Sequence, residues 1–142
     1  MSPRLSAGGE RRLLQISIGL AASIPVLVGL AGLAGGLGAV DTAAGWSLDG
    51  DSHVRYLSGL LLAIGLAFLS TVPRIEASGA RFRLLTGLVV AGGLGRLSAA
   101  VLVGLPGPAM RVGLALELVA APLLALWRER LEHRLKPGPC RP

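Results

Sequence analysis

Four long apolar stretches limit what this chain can fold into. They cover residues 13–40, 54–72, 82–104 and 109–127. A helix that crosses a bilayer needs about 20 mostly apolar residues, within a range of about 17–25. Each stretch meets that length. Hydrocarbon offers no partner for backbone N–H and C=O groups, so a spanning segment must satisfy its own, which favours helices. The sequence therefore predicts an all-α, four-helix transmembrane bundle. The expected spans are about 13–38, 54–72, 82–104 and 109–127, followed by an amphipathic tail over 128–142. The whole chain, 1–142, reads as a single membrane domain.

Composition supports this and removes other classes. Only 15% of the residues are charged, against about 25% in soluble domains, and the charges collect at the ends and in the gaps between apolar stretches. The net charge of +6 does not point to nucleic acid, because the basic residues flank apolar stretches and no polar surface studded with aromatics accompanies them. Cys140 is the single cysteine, which excludes a disulfide framework and a Cys-x-x-Cys redox centre. His53 and His133 are expected on opposite sides of the membrane, which argues against a bis-His haem or a His-rich metal site.

The first stretch has a rival reading as a cleaved signal peptide, since Arg4, Arg11 and Arg12 precede it. A signal h-region is only about 7–15 residues long, whereas 13–33 carries no charge at all, so a retained span is expected. Orientation follows from Lys and Arg. The N-terminal tail, the second loop (Arg74, Arg81, with Arg83 beyond) and the C-terminal tail (Arg128, Arg130, Arg134, Lys136, Arg141) are basic. The first loop holds Asp41, Asp49 and Asp51 with no Lys or Arg, and the third turn has only Arg111 beside it. Both termini are thus expected in the cytoplasm of a bacterial inner membrane. Trp46 and Trp127 suit interfacial anchors. Small residues at Gly32-x-x-x-Gly36, at Gly92, Gly93, Gly95, Ala99 and Ala100, and at Gly113, Ala120 and Ala121 suit close helix packing, and Pro25 and Pro122 are expected kink sites.

Arg96 and Glu117 are charges inside apolar stretches. A charge at the bilayer centre costs about 2.5–3.5 kcal/mol on insertion scales, so such residues usually pair or line a hydrated cavity. The third and fourth helices are joined by a very short turn and should be antiparallel neighbours. Arg96 lies ten residues before Pro106 and Glu117 nine after Pro108, so at about 1.5 Å per residue they reach nearly equal depth. Each shares its helical face with small residues. A further polar group, Asp51, Ser52, His53, Arg55, Tyr56 and Ser58, gathers at the start of the second span. There Asp51 and Arg55 are spaced to pair, and Arg55 or Tyr56 is a candidate to reach toward Glu117. Two readings stand: an Arg96–Glu117 bridge that sets helix register, or a small polar pocket in the outer half of the bundle for a head group, a quinone or a small anion. The candidate binding residues are Arg55, Arg96, Glu117, His53 and Tyr56, with no catalytic or metal-ligating residue.

These motifs resemble a family of small bacterial four-span membrane proteins described as a domain of unknown function. The resemblance rests on Ser52-His53-Val54-Arg55-Tyr56-Leu57-Ser58-Gly59, Gly92-Gly93-Leu94-Gly95-Arg96-Leu97-Ser98, Gly104-Leu105-Pro106, and Leu116-Glu117-Leu118 with Pro122 and Trp127. It implies a four-helix bundle with no settled activity, and Arg55, Arg96 and Glu117 are the positions that match its motifs. More distantly the layout looks like DoxX-type proteins, some of which are tied to quinone-linked or thiol-stress chemistry. The missing cysteine pair departs from a thiol-oxidoreductase role.

Three functions follow as alternatives. The first is a non-catalytic accessory subunit or small-ligand, lipid or quinone binder, with the bilayer, a membrane-protein partner or a second copy as partners and no nucleic acid. No nucleophile–base pair is visible, so an enzyme is not expected. The second is a proton-coupled small transporter using Glu117; small multidrug exporters are similar in size, but their essential acid is in the first span, where this chain has none. The third is a quinone-interacting subunit of a redox complex.

Overall fold

Helix boundaries fall where glycine, proline and serine dictate them. The computed structural model describes residues 7–40 and 47–135. Trp46, Asp41, Lys136 and the tail prolines, on which several expectations rest, lie outside the described residues. Helix α1 (Ala7–Gly35) runs through Pro25 and stops at Gly36, whose φ of +57° suits a residue without Cβ. A single turn, α2 (Leu37–Val40), follows, so the glycine-rich end of the first stretch is a break in the helix. Helix α3 (Leu48–Leu69) is capped by Ser47, whose Oγ accepts the Gly50 N–H at 2.9 Å; Asp49 and Asp51 sit in the first turn, where the helix dipole favours negative charge. A 3₁₀ turn (Val72–Arg74) leads to α4 (Gly79–Leu102).

The turn after α4 bends at Gly104, φ +131°, and α5 (Pro108–Ala115) opens with proline at its first position, where the missing N–H is no loss. A wider π turn (Leu116–Ala120) then joins α5 to α6 (Ala121–Leu135), with the Ala121 N–H reaching back five residues to the Leu116 carbonyl. Pro122 explains the widening: its ring would clash with the carbonyl four residues earlier in a regular helix. The expected effect of Pro122 therefore takes the form of a π turn, one of the recognised sources of helix irregularity.

Every described element is helical. Four helical segments are long and apolar enough to cross a membrane: Gly8–Gly35, Leu48–Arg74, Gly79–Leu102 and Pro108–Arg134. Their outward residues are apolar, among them Leu20, Leu27, Leu84, Val101 and Leu102. In water such a continuous apolar surface would aggregate, but in a bilayer it meets lipid. The chain is a multi-pass membrane protein by these lengths and compositions.

The chain forms two compact units, residues 16–72 and residues 1–15 with 73–142. In the first, α1 and α3 approach backbone to backbone. A Cβ on Gly29 would lie 2.7 Å from the Leu62 amide nitrogen, and one on Gly65 would lie 2.7 Å from Val26 Cγ2. Gly32 faces the Ser58 hydroxyl. Small residues thus permit the van der Waals contact that holds helices together where lipid removes the hydrophobic drive. In the second unit the matching contact is Gly93 of α4 against Leu118 and Glu117, at 2.8 and 3.0 Å for an added Cβ. Gly92 and Gly95 have nothing within 4 Å. Of these three glycines, expected to suit close helix packing, only Gly93 meets a neighbouring helix, because neighbours in a helix point about 100° apart.

Candidate functional site

The short 103–107 turn folds α5 back along α4 and brings the two intramembrane charges together. Arg96 Nε lies 3.2 Å from Glu117 Oε1. The Arg96 side chain is 40% exposed and that of Glu117 18%. Arg96 also points Nη1 at the Met110 sulfur, 2.9 Å away, about two turns from Glu117 toward the 103–107 end. The second Glu117 oxygen, Oε2, is buried and has no hydrogen-bond partner. Glu117 stands in the π turn, a feature found often at functional sites. The wide turn and Gly93 together leave room for its carboxylate beside α4.

Beside this pair lies a cavity of about 270 Å³ between α4 and α5, lined by Arg96, Ala99, Ala100, Val103, Gly104, Pro106, Met110 and Leu114. Arg96 is its single charged residue. The small side chains of Ala99, Ala100 and Gly104 create the space, and Val103, Met110 and Leu114 supply an apolar wall. Arg96 lines an almost wholly apolar groove, while its guanidinium is engaged by Glu117 and Met110. A guanidinium only donates hydrogen bonds, so the complementary ligand atom is an acceptor or an anion.

The polar group of the second span has a different environment within its own unit. Arg55 pairs with Asp51 at 2.8 Å, donates Nη1–H to the Leu33 carbonyl, and lies 3.4 Å from the Ala34 carbonyl. Asp51 accepts the Leu37 N–H at 2.9 Å. The two residues therefore close the C-terminal end of α1, whose last carbonyls and following N–H lack helical partners. Gly36 is required there, since an added Cβ would strike the Asp51 carboxylate. This accounts for Arg55 and Asp51 as a helix clasp. His53 and Tyr56, on other faces of α3, are exposed.

One polar centre was not anticipated from the sequence. Arg128 is 2% exposed, the largest fully buried side chain. It donates to the carbonyls of Ile75 (3.0 Å) and Glu76 (2.8 Å) and pairs with Glu132 at 2.8 Å. Nearby in the same unit, Arg11 pairs with Glu76. Glu10 accepts from the Trp127 indole N–H at 3.1 Å and from Arg134 at 3.0 Å. Trp127, expected as a membrane anchor, is thus held by a carboxylate. Among the described residues, no group of three or more His, Cys, Asp and Glu side chains is placed to hold a metal.

Residues 13–128 match the family described as Domain of unknown function (DUF4345). No curated protein matches, and no solved structure matches.

Proposed function

This chain belongs to the DUF4345 family, a domain of unknown function, and from the site it carries we propose that it is a non-catalytic binder of a small amphiphile in the bacterial inner membrane. The ligand presents a hydrogen-bond acceptor or anionic head to Arg96 and lays its apolar body along Val103, Met110 and Leu114. The observation that carries this reading is the almost wholly apolar groove that Arg96 lines. Its volume of about 270 Å³ lies just below the usual range for small-molecule sites. It would hold a head and the start of a tail, with the remainder of the tail in lipid. A quinone, whose carbonyls are acceptors, and an anionic lipid both meet this description. The alternation of Lys and Arg along the chain supports cytoplasmic termini and, with them, a groove in the outer half of the membrane.

A second reading is favoured by one specific feature. The buried, unbonded Oε2 of Glu117 is what a proton-coupled transporter would use, since intramembrane carboxylates mark proton paths in many pumps. In that reading, ligand and Glu117 compete for Arg96.

Mass spectrometry of the organic extract from protein purified out of native membranes tests the proposal. Wild type should retain a compound with an acceptor or anionic head, and Arg96→Gln should lose it. Identical extracts from both would remove the binding role. Ligand uptake into vesicles driven by a pH gradient, abolished in Glu117→Gln, would establish transport in its place.

A further inference from the structure

Beyond the groove, the opposite end of the same unit carries uncompensated positive charge. Glu10, Glu76, Glu129 and Glu132 each face a cation of their own: Arg134 at 3.0 Å, Arg11, Arg83 at 3.7 Å, and Arg128 at 2.8 Å. Arg81 has a contact of its own, and Arg12, Arg74 and Arg130 remain. All three are exposed, and none pairs with a carboxylate among the described residues. All three stand at this end of the unit. Arg74 closes the 3₁₀ turn. Arg12 follows Arg11, which is bonded to Pro73 and Glu76. Arg130 lies two residues beyond Arg128 on α6, about 200° around the helix from the side chain that holds the Ile75 and Glu76 carbonyls.

We propose that this end of the protein holds anionic phospholipids at the membrane surface, with Arg12, Arg74 and Arg130 contacting their phosphates. The inference rests on the membrane-spanning reading and is independent of the groove. Each of the three stands at an end of a span, where side chains meet head groups. Guanidinium groups match phosphate oxygens with two parallel N–H···O bonds. A phosphatidylcholine phosphate is neutralised by its own ammonium, whereas a phosphatidylglycerol phosphate keeps its charge. The neighbouring carboxylates would repel that charge if they were free, but each is already paired. A basic cluster at the membrane surface contributes about fivefold in affinity per Arg or Lys, so three give on the order of a hundredfold preference for anionic over zwitterionic lipid.

The test is thermal unfolding of delipidated protein in detergent, titrated with phosphatidylglycerol, phosphatidylcholine or soluble glycerophosphate. Phosphatidylglycerol should raise the midpoint, with weaker effect at high salt, and the other two should not. The triple variant Arg12→Gln/Arg74→Gln/Arg130→Gln should unfold at the wild-type midpoint without lipid and lose the rise. The control Arg111→Gln, an exposed arginine at the other end, should keep it. Equal stabilisation by both lipids would overturn the proposal. So would a triple variant that retains the full rise, or a rise produced by glycerophosphate alone. If the triple variant fails to fold, each single variant is titrated, and undiminished rises in all three would overturn it equally.

Discussion

Removing one member of the Arg96–Glu117 pair should destabilise the protein far more than removing both. At 3.2 Å and an effective dielectric of about 20, two unit charges attract by ~5 kcal/mol. Much of that is offset by desolvation, and Arg96, 40% exposed, is screened in part. A net coupling of about 1–3 kcal/mol remains. The two single losses should be unequal. Arg96→Leu strands Glu117, which is 18% exposed and already has one buried oxygen without a partner; about 3 kcal/mol is expected. Glu117→Leu strands Arg96, whose long side chain can turn toward the head groups, so about 1–2 kcal/mol is expected. The double variant Arg96→Leu/Glu117→Leu should lose less than the sum. Equilibrium unfolding in mixed micelles, read by tryptophan fluorescence and completed as a double-mutant cycle, measures each term. Additivity within about 0.5 kcal/mol would refute the argument, because it would mean that the ion pair contributes nothing beyond two independent side chains.

Other perturbations follow from the packing. Gly93→Val should lower stability by about 1–3 kcal/mol, because its Cβ would already lie 2.8 Å from Leu118, while Gly95→Ala, with nothing within 4 Å, should be neutral or slightly stabilising; the same unfolding assay compares them. Arg128→Met should cost about 3 kcal/mol or more, since it removes the donors to the Ile75 and Glu76 carbonyls and the cation 2.8 Å from Glu132; Arg130→Met, with no such bonds, should lie within about 0.5 kcal/mol of wild type. A reporter active only outside the cytoplasm, fused after Lys136, should stay silent, and activity there would reverse the orientation read from Lys and Arg.

The parts of this architecture that were legible in the sequence are those set by length and by a short connection. Spans follow from apolar run lengths. The Arg96–Glu117 contact follows because a tight turn forces antiparallel helices and equal residue counts then give equal depth. What depends on helix rotation was not legible. Gly92, Gly93 and Gly95 look alike in the sequence, yet only Gly93 meets α5's continuation, and nothing short of the packed helices says which. Arg55 looked like a ligand residue because it is a charge beside an apolar stretch. Its role as a clasp on α1 depends on where that helix ends and which carbonyls face α3 there, which the glycine-rich run 34–38 does not specify. In the sequence Arg128 is one more cation of a basic tail. Its partners are backbone carbonyls of residues 75 and 76, and a carbonyl has no signature in a sequence. The π turn at Glu117 left only Pro122 as its trace.

The central claim is that the groove beside Arg96 receives an amphiphile. Photolabelling native vesicles with an amphiphile that bears an anionic head and a diazirine near it, followed by peptide mapping, tests this most directly. Adducts should concentrate on Val103, Met110 and Leu114, the apolar residues of the groove, and should fall to the general lipid-facing level in Arg96→Gln. Labelling spread evenly over outward residues such as Leu20, Leu27 and Leu84, unchanged by the substitution, would contradict the claim and leave the Arg96–Glu117 pair as a structural bridge.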